Sequence, residues 1–390
     1  MLPNDVPTGG VWGHLSSGMA GGRSCCFDGT FYTRCTCRRF AACFGAHDWQ
    51  CRRTCAGCIH KRVERRKALR TLQGKEQVSC PLATFGRETE FTSKWSDVKV
   101  WNTEAPELYV ARLELKDRSG NVIQVREERI GFRTIEFFPQ DGIYLNGTRL
   151  IVKGINRHSF SVDGGRTTSA AMSRQDALLI KEMNMNAVRS HYPPDEHFLD
   201  MCDSLGLVYI DELSGWHGRY DTETGARLIR EMVERDVNHP SVILWSNGNE
   251  GGWNTDNDSL FCKYDKFQRR HVIHPWADFD GLDTHHYPAY LTGVARFTNG
   301  YKVFMPTEFM HAMYDQGGGA GLRDFWDRWM TNPMFAGALS GYSVTRLPNV
   351  PTEEACSIRT DRMLPMVLWD HAGKRKEVSM PYVPSGRRYR

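Results

Sequence analysis

Glu250 and Glu308 are the residues of this chain best placed by type and spacing to do chemistry. Glu250 ends the stretch Trp245-Ser246-Asn247-Gly248-Asn249-Glu250, and Glu308 ends Phe304-Met305-Pro306-Thr307-Glu308, 58 residues later. Each follows a short apolar run, at 242–245 and 303–305, of the kind that reads as a buried parallel strand. A carboxylate just past such a strand sits where α/β barrels place their chemistry. Two on one sheet suggest the paired acids of glycosidic-bond cleavage. One is protonated and donates to the leaving oxygen, and the other is ionised and attacks the anomeric carbon.

The elements that must position them alternate between strand and helix from about residue 145 to 338. Strands are expected at 150–154, 187–189, 207–212, 242–245, 271–273, 282–284 and 303–305. Helices are expected after Ser173 as an N-cap, over 195–205 with Gly206 ending it, and over 226–237. Seven strands fall one short of the eight of a closed barrel. The fold class is therefore α/β, a (β/α)8 TIM-type barrel expected to be incomplete at its last strand. Before it, 108–115 partly alternates apolar and polar residues, 117–121 supplies turn residues, and 122–125 fits a return strand. This reads as the end of an immunoglobulin-like β-sandwich. The domain division is 1–70 unassigned, 71–136 sandwich, 137–338 catalytic barrel and 339–390 unassigned.

Charge and cysteine are unevenly spread. Residues 1–80 hold 13 Lys and Arg against 5 acids, a net of +8 within a chain total of +4, so the rest carries −4. Nine of the 12 cysteines also precede residue 81. The middle of the chain is enzyme-like, and the N-terminus is a different kind of sequence. No apolar run approaches the roughly 18 to 20 residues of a membrane span, and the first residues lack a signal peptide's basic start and apolar stretch. No membrane partner is expected, and location stays open between cytoplasm and periplasm for an intact relative.

The motifs in order resemble glycoside hydrolase family 2, the β-galactosidase, β-glucuronidase and β-mannosidase group, over about 95–337. They are Trp101-Asn-Thr-Glu-Ala-Pro-Glu-Leu-Tyr109, Gly131-Phe-Arg133, Lys153-Gly-Ile-Asn-Arg-His158, Asn186-Ala-Val-Arg-Ser-His-Tyr-Pro193 and Asn238-His-Pro-Ser241, then the two glutamate motifs, with Phe309-Met-His311 extending the second. Position by position, the resemblance implies Glu250 as acid/base and Glu308 as nucleophile of a retaining, β-galactosidase-like enzyme acting on terminal β-linked sugars. Asn249 would bond the sugar's 2-hydroxyl, Tyr287 would sit near the nucleophile, and His158, Arg189, His191 and His311 would line the sugar pocket. Taken alone, each glutamate reads as a surface or capping acid, each histidine as a packed one, and Arg189 as an ion pair to a barrel carboxylate such as Glu250 or Glu308. His285 and His286 face opposite ways in a strand, so one at most meets substrate. Trp216-His217 either borders the pocket or packs. No cofactor is implied. Large β-galactosidases place a metal-binding Glu where Gly215 stands, which argues against that magnesium site.

The family's preceding β domain and its Trp-bearing eighth strand are not recognisable in the two ends. Codons permitted for 339–346, shifted by one nucleotide, can spell Phe-Ile-Trp-Val-Phe-Gly-Asp-Glu, which resembles that missing strand. An out-of-frame reading is the expectation for 339–390 and one of the open readings for 1–70. The other is a zinc module, from Cys51, Cys55, Cys58 and His60 among Arg and Lys residues that would suit nucleic acid. Carbohydrate, not nucleic acid, is the partner expected; oligomeric state is not legible. A second function class stays in view, an inactive truncated or frameshifted fragment, because an open barrel exposes strand edges and core.

Overall fold

The computed structural model describes residues 98–343, except 117–118, 160–163, 266–267, 269, 287, 289, 291–301 and 310–321. Before residue 98 it describes only the backbone of short strands. Tyr287, His311, the cysteine-rich segment's side chains and the 344–390 tail therefore lie outside the described residues. Strands Arg53–Cys58, Val78–Leu82, Tyr109–Lys116 and Val122–Ile130 form an antiparallel sheet, in which 53–58 lies between 78–82 and 109–116. The hairpin expected around 117–121 joins the last two.

The barrel is built from β1 (Val152–Arg157), β2 (Ala187–Arg189), β3 (Val208–Glu212), β4 (Val242–Ser246), β5 (Val272–Ile273), β6 (Leu282–Asp283), β7 (Val303–Phe304) and β8 (Gly337–Ser343). One parallel ladder runs β5-β4-β3-β2-β1-β8, and β6 pairs with β7 in a second. The ladder is interrupted between β5 and β6, where the two-residue strand Asp278–Phe279 folds back on β6. Between β7 and β8, hydrogen bonds continue the ring from Phe304 N to Met334 O, Leu339 N to Pro306 O and Phe309 N to Leu339 O.

The position of the eighth strand is filled, where the sequence reading leaves it empty. Gly337–Ser343 lies parallel to β1 in a register from Val152 opposite Gly337 to Arg157 opposite Ser343. The sequence of this strand carries no strong strand pattern, and its pairing is set by backbone geometry. Gly337 has φ +108°, and a Cβ there would stand 2.0 Å from the Val152 carbonyl oxygen. No other residue lets β8 meet β1 so closely.

Three helices pack outside the strands with the capping expected of them, displaced by a few residues. α1 (Ala170–Glu182) starts at Ser169, whose side chain accepts from Met172 N, while Ser173 is buried one turn inside. α2 (Glu196–Leu205) ends at Gly206 in the left-handed region. α3 (Thr222–Asp236) is capped by Asp221. Their apolar faces join Val188, Tyr209 and Trp245 in one outer core.

Strand period decides which residues face the axis. Val152, Ala187, Val208 and Ile210 fill the barrel interior together with Trp101 and Leu145 from the preceding segment. The same inward register carries on from Val152 through Gly154 to Asn156, from Ala187 to Arg189, and from Ile210 to Glu212. Below the barrel, Trp101 donates from Nε1 to Asp203 O at 2.7 Å, and Arg133 donates to the carbonyls of Pro240 and Val242. These bonds fasten the sandwich to the barrel floor.

On the outward face of β3, Asp211 is fully buried beside Asp236, and no N–H or O–H donor reaches either of its oxygens. Asp236 is held by Arg235 at 2.6 Å. Burial, followed by the neighbouring Asp236 charge, pushes the Asp211 carboxyl well above its usual range. Above about pH 4 an unfolded Asp releases its proton, while the folded Asp211 retains it, so this pair costs stability as pH rises. Asp211→Asn keeps a donor toward Asp236 and cannot ionise. Its melting temperature is expected to gain on the parent's between about pH 5 and about pH 8. Gly337→Ala is expected to lose more than about 2 kcal/mol in denaturant unfolding, because φ and the close β1 approach both reject a side chain.

Candidate active site

Arg189 stands at the C-terminal end of β2, wholly buried. Its Nε and Nη2 fork onto Glu212 Oε2 and Oε1 at 2.8 and 3.0 Å. Nη1 donates to Asn156 Oδ1 at 2.9 Å and Glu308 Oε1 at 3.0 Å, and Nη2 to Asn249 Oδ1 at 2.8 Å. One planar group therefore ties the ends of β1, β2, β3, β4 and β7 together. Burial pushes the Glu212 carboxyl up, but the Arg189 charge and the bonds from His191 and Arg189 outweigh it and hold it below its usual range. Ser246 Oγ also donates to Glu212, at 2.7 Å. His191 bridges the two acids, with Nδ1 3.3 Å from Glu212 Oε1 and Nε2 3.7 Å from Glu308 Oε1.

Glu250 has a different setting. Trp216 Nε1, which can only donate, gives its hydrogen to Oε2 at 2.8 Å, and His286 Nδ1 lies 3.1 Å from Oε1. His217 lies 3.6 Å from Oε2 through Nε2. The Glu250 backbone has φ +45°, a conformation uncommon for a residue with a side chain. The loop is pinned by Asn249 N donating to Gly215 O at 2.7 Å. Gly215 packs so tightly that a Cβ would stand 2.5 Å from Gly252 O. Any side chain at 215 would push the two loops apart.

Glu250, His286 and Glu308 bring ligand-type atoms within 4.8 Å of one another. That set could hold a divalent cation or, equally, flank a sugar. A second such set, Asp200, Asp203 and His239, lies beneath the barrel and is already occupied by protein partners. Asp203 accepts from Ser241 N and meets His239 Nδ1 at 2.6 Å, and Asp200 pairs with Arg129.

The structure thus brings together five expected site residues, Glu250, Glu308, Arg189, His191 and Asn249. His158 stands beside them: its ring centroid is 5.0 Å from that of His191, and its Nδ1 is 3.2 Å from Tyr192 Oη. Burial, followed by His191, lowers the His158 pKa to about 3, so it is a neutral hydrogen-bonding group. The Arg189 partners are Glu308 and Glu212 rather than Glu250. Of the adjacent histidines, His286 faces the carboxylates, while His285 lies near Asp283. Sequence reasoning missed Glu212 and Asn156 as site residues and left Trp216 and His286 undecided. The signal for the first two was available in the inward strand period. Trp216 and His286 sit on loops, where no period applies.

Residues 139–342 match the family described as glycosyl hydrolases family 2, TIM barrel domain, and residues 60–133 match glycosyl hydrolases family 2. The chain belongs to glycosyl hydrolase family 2. It is 34% identical over 218 residues to a β-galactosidase of Pseudoalteromonas haloplanktis, covering 50% of this chain and 21% of that protein. To a putative β-glucuronidase of Formosa agariphila it is 39% identical over 163 residues, covering 40% and 20%. The chain thus spans about a fifth of the length of these relatives. A solved β-glucuronidase of Bifidobacterium dentium, complexed with coumarin-3-O-glucuronide, shares the fold. Its TM-score is 0.63 at 22% identity, over 84% of this chain and 59% of that one.

Arg189→Met removes the only charge that the fork on Glu212 supplies and leaves buried carboxylates facing each other. Breaking a buried pair in this way is expected to cost about 3 to 5 kcal/mol, measured by denaturant unfolding. An undiminished midpoint would show that the fork carries no stability.

Proposed function

We propose that this chain is a retaining glycoside hydrolase, β-galactosidase-like, which cleaves a terminal β-linked sugar by double displacement. The observation that carries this reading is the proximity of Glu250 and Glu308, with oxygens within 4.8 Å, in two unlike settings. Retaining enzymes hold their carboxyl groups about 5 to 5.5 Å apart, and inverting enzymes hold them farther apart to admit a water. Glu308 shares a salt bridge with Arg189, the setting of an anion held ready to attack. Glu250 rests between an indole N–H and an imidazole, a setting in which a proton can leave and return.

In the first step Glu250 gives its proton to the glycosidic oxygen while Glu308 bonds to the anomeric carbon, and the bond to the leaving group breaks. In the second, Glu250 takes a proton from water, the hydroxide bonds to the anomeric carbon, and Glu308 leaves. Two inversions give net retention. Arg189 occupies the Asn249 carbonyl oxygen, which turns the amide NH2 into the end that meets the sugar's 2-hydroxyl. His158, neutral, and His191 supply further hydrogen bonds, and Tyr287 and His311 belong to the same reading.

A neutral sugar is favoured because the buried guanidinium of the pocket floor is already committed to Glu212 and Glu308. A β-glucuronidase reading has one observation behind it: Arg166, stacked 3.7 Å over the Tyr192 ring at the His158 side, is a cation that could meet a uronate. Aryl β-galactoside and β-glucuronide assayed side by side separate the two.

Glu308→Gln is expected to lower turnover of the preferred aryl glycoside by at least about a thousandfold, since removing the nucleophile removes the covalent route. Glu250→Gln is expected to cost about a hundredfold or more for an alkyl leaving group and far less for a dinitrophenyl group that departs without a proton. Equal losses for both leaving groups would remove Glu250 from the acid role.

A further inference from the structure

Three described residues other than Asn, Asp and Gly adopt positive φ: Glu250, His217 and Trp276. All three lie at the mouth of this site. Trp276 is the most costly. Ala277 N donates to His274 O at 2.8 Å across a turn with Pro275 at its second position and Trp276, φ +80°, at its third. That is the pattern of a type II turn, whose third position ordinarily takes Gly or Asn. An indole there carries backbone strain and stays 44% exposed. Its ring stacks toward His286, centroids 6.5 Å apart at 24°, and His286 touches Glu250 Oε1. Across the same carboxyl group, Trp216 is 62% exposed while donating to Glu250 Oε2. Only six large apolar side chains are exposed among the described residues, and both tryptophans in that group flank Glu250.

We propose that Trp216 and Trp276 form the leaving-group subsite, two indole walls on either side of the acid that take a ring with a flat apolar face. This rests on the hydrolase reading, because the acid side of the scissile bond is where the leaving group lies. The shared chemistry of the occupant is ring stacking on an indole face, met by an aryl group or by the C–H face of a pyranose. Fold stability gives no reason to keep an indole on the Trp276 corner or to leave the Trp216 indole in water. A stacking partner supplies one.

The test is calorimetric binding of methyl β-galactoside, phenyl β-galactoside and lactose to the chain carrying Glu308→Gln. The ring-bearing ligand of the fitting class is expected to bind about tenfold more tightly than the methyl glycoside, the scale of one good aromatic stack. Whether phenyl or glucose shows that gain identifies the occupant. Trp216→Ala and Trp276→Ala are each expected to remove most of the gain, and in Trp276→Ala the methyl glycoside Kd stays within about twofold of its starting value. Trp276→Gly is expected to melt no lower than the parent, because Gly relieves the turn. A gain that survives both alanine variants, equal binding of all three ligands, or a melting point lowered by several degrees in Trp276→Gly would overturn the subsite. If no β-glycoside of a sugar panel is bound or cleaved, the hydrolase reading fails separately. The walls are then read with phenol alone, which is expected to shift the indole N–H resonances of Trp216 and Trp276, each identified by its Phe variant. Unmoved resonances overturn the proposal.

Discussion

Arg189 lies at the end of β2 with no exposure to water, and four acceptor side chains converge on its one guanidinium. A buried charge persists only when its partners repay the lost hydration. Glu212 meets it in the bidentate geometry that suits arginine, and Lys could not reproduce that fork. The remaining donors fix Asn156, Asn249 and Glu308. Each acceptor comes from a different strand end, so the relative heights and tilts of those strands are set by a single planar group. The carboxylate spacing that the proposed chemistry needs follows from this one constraint.

Much of the fold was legible because the strands follow physical periodicity. Short apolar runs at 187–189, 207–212 and 242–245 could be read as buried parallel strands, which the structure places at 187–189, 208–212 and 242–246, and Gly206 did end a helix. Glu308 was picked out as a carboxylate just past an apolar run, and Arg189 only through the family resemblance. Glu212 was within reach of strand period, two residues past Ile210 on the same face, while its neighbour Asp211 takes the outward face. The β8 strand was not legible. Its sequence, Gly-Ala-Leu-Ser-Gly-Tyr-Ser, lacks a strong pattern, and what seats it is the close backbone approach of Gly337 to Val152, far away in sequence.

The mouth of the barrel obeys different physics. Loop residues carry no period, and their conformations are set by close backbone contacts such as Gly215 against Gly252. Positive φ at residues with large side chains collects there, at Glu250, His217 and Trp276. The roles of Trp216 and His286 emerge only from these loops. Strand ends fix Glu308, and strained loops carry Glu250.

The central claim is that Glu250 and Glu308 act as a retaining pair, and the anomer released first tests it most directly. Proton NMR of the hydrolysis of the preferred aryl β-glycoside, recorded before mutarotation, is expected to show the β-anomer appearing first and the α-anomer growing in later. Initial release of the α-anomer would mean a single inversion and would contradict the proposed covalent role of Glu308.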